Sequence, residues 1–264
     1  MAFQSGETGK ETEMRANVDR ISVITVVFND VGKIRKTIES AISQDWPDCE
    51  YIVIDGGSTD GTFEVIWEYS ERISFYSSEP DSGVYDAMNK GLRHSTGDWV
   101  VFLNSGDTFF SEKTLSDVMA GSTDEADIIY GNSIAVFGNT RTLMEANADP
   151  SVLALRPAYR HGSSLVRGSI HRREYFDLSR RALGYALDFE LINRLYKQGK
   201  IFQKVNVVIE CFDREGMSNH PMRNIWYNYK ITSGGLLDIR RKWGLVREMF
   251  LYAMARLRQS IATK

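Results

Sequence analysis

Residues 21–28 read ISVITVVF, an almost unbroken run of apolar and β-branched side chains. A run of that length without polar alternation fits a strand buried on both faces of a parallel sheet. Asn29-Asp30 can cap the next segment, where Val31, Ile34, Ile38, Ala41 and Ile42 recur at helical spacing. The pattern then repeats. Residues 50–54 predict a second strand ending at Asp55, and Phe63, Ile66 and Trp67 a short helix after Thr62. Residues 73–76 predict a short strand. Tyr85, Met88 and Leu92 line one face of a helix, and residues 99–103 form a strong strand that stops at Asn104. Strand and helix alternate throughout this stretch. The fold class expected is therefore α/β, with a Rossmann-like, mostly parallel central sheet flanked by helices.

Past Ser111 the rhythm changes. A helix carries Leu115, Val118 and Met119. Strands are expected at 127–130, 134–137, 142–145 and 163–166, a helix at 186–196, and a late strand at 205–211. No Pro/Ser-rich linker or internal repeat interrupts the chain. One domain is expected over residues 20–220, after a disordered leader at 1–19. A basic amphipathic extension follows at 221–264, helical over 224–258.

Charge sharpens that last division. The whole chain carries a net charge of −3, which argues against a nucleic-acid binder, yet residues 221–264 hold nine Lys/Arg against two Asp/Glu. Within them Trp243, Leu245, Val246, Met249, Phe250, Ala253 and Leu257 make an apolar stripe, flanked by Arg241, Lys242, Arg247, Arg256 and Arg258. Such a helix can pack on its own domain or on a second copy of the chain, giving a homo-oligomer. It can equally lie on an anionic membrane surface. The N-terminus is polar and lacks the apolar core of a signal peptide. No apolar run approaches the roughly 18 residues that span a bilayer. Two distant cysteines, Cys49 and Cys211, suit a reducing compartment. The location expected is cytoplasmic, with association at the inner face of the cell membrane if the tail binds lipid.

The chemistry gathers where strands end. Asp55 opens Asp55-Gly-Gly-Ser-Thr-Asp60, Asp81-Ser-Gly83 precedes a helix, and Asn104-Ser-Gly-Asp107 closes the fourth strand. Acidic and glycine residues at the carboxyl ends of successive parallel strands build nucleotide pockets. A carboxylate at Asp55 can accept an imide N–H and so read uracil, or it can simply serve a turn. Asp81 can face the nucleotide or cap the helix. Asp107 suits Mg²⁺ or Mn²⁺ held together with diphosphate oxygens, or a β-turn. Asn89 is a poor residue for a helix interior, and either ties its helix to a neighbouring loop or is solvated. Asp188, at the start of a predicted helix, is a general-base candidate or an N-cap; Glu190, two residues on, points elsewhere. His161 can hydrogen-bond donor or acceptor, and His220 can reach a metal or a diphosphate.

Taken together, Phe28-Asn29-Asp30, Ile54-Asp-Gly-Gly-Ser-Thr-Asp-Gly-Thr62, Asp81-Ser-Gly-Val-Tyr-Asp-Ala-Met-Asn-Lys-Gly91 and the 96–107 block resemble family-2 glycosyltransferases of the GT-A fold. The resemblance is continuous from about residue 21 to residue 108 and looser to residue 216, where the block around Asp188 is recognisable. It implies a nucleotide-diphospho-sugar donor, with a UDP-sugar favoured, a divalent metal, and inversion at the anomeric carbon. On that resemblance Asp55 and Asp81 would bind the nucleoside, Asp107 the metal, and Asp188 would be the base. Asn29 and Ser105 are further candidates at the nucleotide, and His220, beyond the stretch the resemblance covers, is a second candidate at the metal. The family's acidic pair at the metal motif is here Gly106-Asp107. The Gln-x-x-Arg-Trp motif of processive synthases is absent, which implies transfer of a single sugar to a lipid-linked or saccharide acceptor. The resemblance points to bacterial surface polysaccharide or glycolipid synthesis. A non-catalytic alternative is a degenerate sugar-nucleotide-binding subunit of an assembly complex. A nicotinamide dehydrogenase is disfavoured, because residues 28–33 hold one glycine where that class needs a glycine-rich turn.

Overall fold

The first strand, β1 (Ile21–Val27), has every residue buried, as its unbroken apolar pattern requires. It pairs in parallel with β2 (Cys49–Asp55) on one side and with β4 (Trp99–Phe102) on the other. β3 (Phe75–Ser78) lies in parallel outside β2. The structure, a computed structural model, describes residues 18–213 and 221–233, with single positions at 246, 249, 250 and 254.

Successive residues of a strand face opposite sides, so β1 and β2 feed two cores. Ile24, Val26, Ile52 and Ile54 pack with Met88 and Leu92 of α3 (Val84–His94), while Val23, Val27 and Val53 pack with Ile34 and Ile38 of α1 (Val31–Ile42). α2 (Thr62–Glu68) adds Val65 and Ile66 to the second core. A Cβ on Gly91 would come 2.5 Å from Ile24 Cγ2, so the glycine lets α3 lie directly on β1. Asn89 also has its explanation here. Its amide donates to the Phe176 carbonyl at 2.9 Å and accepts from the Phe176 N–H at 3.0 Å, tying α3 to a distant loop.

The remaining strands are β5 (Thr108–Phe109), β6 (Ile128–Phe137), β7 (Thr140–Met144), β8 (Ser164–Arg167) and β9 (Phe202–Asp213). The sheet order is β3-β2-β1-β4-β8-β6-β9-β5, with β7 on β6. β8 runs antiparallel to both β4 and β6, and β6 pairs with β9 in parallel. The helices here are α4 (Thr114–Ala120), a single turn α5 (Gly168–His171), α6 (Leu187–Lys197) and α7 (Pro221–Thr232). A 3₁₀ segment, Leu178–Ala186, leads into α6.

Two strands expected at 127–130 and 134–137 are one. Gly131-Asn132-Ser133 has turn-like composition, but β9 on one side, and β7 from Ser133 onward on the other, hold it extended. Gly131 is needed there: a Cβ would come 2.5 Å from the Val207 carbonyl oxygen. That contact lies at a bulge, where the β6–β9 register jumps between Tyr130↔Lys204 and Asn132↔Val208. Bulges bend strands and increase their twist, and this one lies within a sheet that must curl. β5 is at the far end of the sheet order yet follows β4 by only a few residues. Four strand spacings amount to roughly 19 Å, too far for a loop folded into a turn by the Asp107 N–H to Asn104 carbonyl bond of 3.0 Å. The curl closes that distance.

The expected C-terminal extension begins with α7, which packs on α6 and on Leu178–Ala186. Tyr227 sits over Gly184, and Ile231 is buried. Val246, Phe250 and Met254 are exposed. The rest of the predicted tail stripe, the leader at 1–17 and His220 lie outside the described residues. Among the described residues no helix is long and apolar enough to cross a membrane.

Candidate active site

The chain leaves β1 in one direction toward β2 and β3, and β4 lies on the other side, so a crevice opens at the carboxyl ends of β1 and β4. In open α/β sheets this switch point is where ligands bind. Asn29, just after β1, has φ +48°, in the left-handed region that an asparagine tolerates better than most residues. It is held there from both sides: its N–H donates to Ser58 Oγ at 2.7 Å and its side-chain oxygen accepts from the Thr59 N–H at 2.9 Å. Asp30 does not cap α1 with its side chain; its Oδ2 accepts from Ser105 Oγ at 2.7 Å, bridging the two walls of the crevice.

Asp55 is 0% exposed. Its carboxylate accepts from the Ser58 N–H at 3.1 Å, from the Ser58 hydroxyl at 2.5 Å and from the Ser78 hydroxyl. Asp81 Oδ1 accepts from the Gly83 N–H at 2.7 Å. Its other oxygen lies against Gly56, where a Cβ would come 2.6 Å away, beside the ring of Phe28. Phe28 itself is exposed. The Asn29, Asp55 and Asp81 loops thus converge.

Gly106, at φ +92°, makes the turn that presents Asp107. Buried Thr37 fixes the turn, accepting from the Gly106 N–H at 3.0 Å and donating to the Asp107 carbonyl at 2.8 Å. Because the sheet curls, Asp107 meets β9. It is 8% exposed, accepts from the Asp213 N–H at 3.4 Å and lies close enough to Glu210 to feel its charge. Burial and then the Glu210 charge push the Asp107 carboxyl well above the ordinary range, against the pull of Arg160.

Neither Glu210 nor Arg160 was expected at a site. Glu210 is 1% exposed and Arg160 Nε donates to its Oε2 at 3.0 Å. The Arg160 guanidinium lies 3.5 Å from the centroid of the Phe212 ring. A Cβ on Gly162 would collide with the Glu210 carboxylate, so the Arg160-His-Gly162 turn is fitted closely to it. The sequence did carry one signal: Glu210 is the one charge in the expected strand 205–211, and a buried charge needs a partner.

Asp188 starts α6 and is partly buried, with Oδ1 accepting its neighbour's Phe189 N–H at 2.6 Å. Burial pushes its carboxyl up to about 6, opposed by that N–H and by the charge of Arg160. Arg160 thus feels Glu210, Asp107 and Asp188 together. Glu190 is directed away, into ion pairs with Arg180 at 2.6 Å and Arg194 at 3.6 Å.

His161 packs elsewhere. Its ring lies 5.2 Å from Phe102 and 5.5 Å from Phe176, and His171 lies 5.5 Å from Phe102. Burial pushes His161 down to about 3 and His171 down to about 4. Both stay neutral in the fold while the unfolded chain protonates near pH 6.5. Their share of stability is therefore present above about pH 6.5 and lost as pH falls toward 4, at about 1.4 kcal/mol per pH unit for each ring. Asp107 and Asp188, with raised values, act in the opposite sense. The His171 share is isolated by difference: relative to the parent, His171→Leu should gain stability by that slope between pH 6.5 and 4. Urea midpoints that keep a constant offset between the two proteins would contradict it.

No group of three His, Cys, Asp or Glu side chains among the described residues forms a metal cage. The donor set nevertheless fits a hard cation that relies on its ligand. Mg²⁺ is commonly held by one or two carboxylates plus substrate phosphates. A cation beside Asp107 would offset the Glu210 charge that pushes its carboxyl up, and among the described residues Asn104 Oδ1 is buried without a partner.

A curled α/β sheet with an acidic loop at its switch point is the GT-A architecture of glycosyltransferases. The chain belongs to Glycosyl transferase family 2, whose profile it matches over residues 22–226. It is 29% identical over 209 residues to an uncharacterised glycosyltransferase of Mycobacterium tuberculosis, covering 76% of this chain and 77% of that one. A PGL/p-HBAD biosynthesis glycosyltransferase of the same organism is 33% identical over 126 residues, 46% of this chain and 49% of that one. S. aureus TarS 1-349 in complex with UDP-GlcNAc aligns at a TM-score of 0.64 with 19% identity, over 88% of this chain and 71% of that one. Mycobacterium tuberculosis glucosyl-3-phosphoglycerate synthase, bound to Mn²⁺, UDP and phosphoglyceric acid, aligns at 0.57 with 18% identity, over 87% and 83%. At these identities the solved structures speak for the fold alone.

Proposed function

We propose that the chain moves a single sugar from a nucleoside-diphosphate sugar, a UDP-sugar favoured, to a hydroxyl of a lipid-linked or saccharide acceptor, with inversion at the anomeric carbon. The product belongs to a bacterial surface polysaccharide or glycolipid. The observation that carries this reading is a pair of carboxylates in different settings around one guanidinium. Asp107 lies in the turn after β4, against β9, and Asp188 lies in the first turn of α6 with its carboxyl raised to about 6.

The nucleoside would lie at the converging loops, against Asn29, Asp55, Asp81 and Ser105. Asp107, with His220, would hold Mg²⁺ or Mn²⁺. When bound, that cation supplies charge neutralisation for the diphosphate, with phosphate oxygens and water completing its shell. Asp188 would take the proton from the acceptor hydroxyl as its oxygen attacks the anomeric carbon. The bond from that carbon to the diphosphate breaks, and its electron pair leaves with the diphosphate oxygen. The donor and cation proposed are of the classes bound by two proteins of this fold, UDP-GlcNAc in one and Mn²⁺ with UDP in the other.

Donor hydrolysis screened across UDP-, GDP- and dTDP-sugars with Mg²⁺ or Mn²⁺ tests the reading. Nucleoside diphosphate should be released from at least one donor. A folded protein that binds a donor and releases nothing would be the degenerate binding subunit instead.

The tail belongs to the same proposal. Val246, Phe250 and Met254 are exposed at a spacing of one helical turn, within a segment rich in Lys and Arg. That suits the anionic inner face of a cell membrane, where a lipid-linked acceptor would be found. Removing residues 243–264 should abolish sedimentation with phosphatidylglycerol vesicles and leave donor hydrolysis intact. A parent that ignores vesicles and forms a dimer lost on truncation would make the stripe a contact between copies.

A further inference from the structure

We infer that the Arg160 guanidinium is a direct ligand of the donor's diphosphate; this rests on the glycosyl-transfer reading above. The guanidinium is anchored, not floating. Nε donates to Glu210 Oε2 at 3.0 Å, and the plane is packed 3.5 Å from the centroid of the Phe212 ring. Glu210 cannot drift, since it is buried on β9 against Gly162. An arginine that merely balanced a buried glutamate would be expected to use its two-pronged face, because the bidentate pair is the stronger one. Here only Nε is spent on Glu210. Among the described residues the terminal N–H groups have no hydrogen-bond partner, and the side chain remains 37% exposed.

Its position says what those free donors meet. β5 pairs antiparallel with β9, Thr108 opposite Cys211 and Phe109 opposite Glu210, which sets Asp107 beside Phe212, the ring on which the Arg160 guanidinium is packed. Among the described residues Lys33, also near this turn, is engaged with Asp213 at 2.8 Å. A pre-anchored guanidinium with an open fork beside the cation-binding carboxylate matches phosphate oxygens in geometry and charge. The negative charge that gathers on the departing diphosphate is what such a donor stabilises without rearrangement.

The test is calorimetric titration of the full chain with UDP and with UMP, each with Mn²⁺. Arg160→Gln should weaken UDP binding roughly 10- to 100-fold, the range of a hydrogen bond to a charged group, and change UMP binding little. Arg160→Lys should recover part of the loss. Because Arg160→Gln leaves Glu210 buried and unpaired, the double variant Arg160→Gln/Glu210→Gln provides a charge-balanced protein whose fold is checked by its melting curve. A folded double variant that keeps the parent's ratio of UDP to UMP affinity overturns the inference and reduces Arg160 to a counter-ion for Glu210. A parent that binds none of UDP, GDP or dTDP overturns the glycosyl-transfer reading, and this inference with it.

Discussion

Asp188→Asn should lower turnover by about 10²–10⁴-fold while donor affinity changes little, the loss expected when a general base is removed. Asparagine keeps the size of the side chain and an oxygen for the Phe189 N–H, which now meets Asp188 Oδ1 at 2.6 Å. It cannot take a proton from the acceptor. The parent should show a matching pH dependence. Because burial raises the Asp188 carboxyl to about 6, the base is protonated and idle at pH 5 and ionised at pH 7, so turnover should climb through about pH 6. In the variant that limb should vanish. The anomeric configuration of the product, read by NMR, should be opposite to that of the donor. Near-normal turnover in Asp188→Asn, or a product of retained configuration, would remove Asp188 from this role.

Asp107→Ala should separate function from stability. Nucleoside diphosphate affinity in the presence of Mn²⁺ should fall by about 10²–10³-fold, in keeping with the several kcal/mol a catalytic metal ion supplies. The fold should be at least as stable as the parent at pH 7. The folded carboxyl titrates well above its unfolded value, so its contribution favours the fold at low pH and turns against it as pH rises. Alanine removes that burden and keeps the backbone carbonyl that Thr37 grips at 2.8 Å. Metal-dependent affinity equal to the parent's would show that the cation is held elsewhere; a collapsed melting temperature would contradict the electrostatic account of the Asp107–Glu210 pair.

The first half of the fold was legible because its signals are local. Apolar runs set β1, β2 and β4 to within a residue or two, and the acidic turns mark their carboxyl ends. Asn89 was legible in part, as an asparagine needing a reason, although its partner Phe176 was not. The second half was harder. Gly131-Asn132-Ser133 reads as a turn until β7 and β9 are placed beside it. The two-residue β5, the single turn of α5 and the 3₁₀ segment Leu178–Ala186 are too short for periodicity to register. The candidate site divides the same way. Asp55, Asp81 and Asp107 stand at strand ends that the pattern reveals, but Arg160 and Glu210 join them only because the sheet curls. His161 drew attention by rarity, and it lies among Phe102, His171 and Phe176.

The placement of β8 means the molecule has no seam. Trp99, Val100 and Val101 of β4 are bonded through β8 to Ile128, Ile129 and Tyr130 of β6, while β5, early in the chain, is bonded to β9, late in it. A cut near residue 125 would leave each fragment with a bare, apolar strand edge, the kind that invites aggregation. Two such fragments made separately should precipitate, and made together should rejoin. The enzyme could therefore serve as a split reporter whose reassembly restores the crevice, with residues 121–125 the natural place to part it.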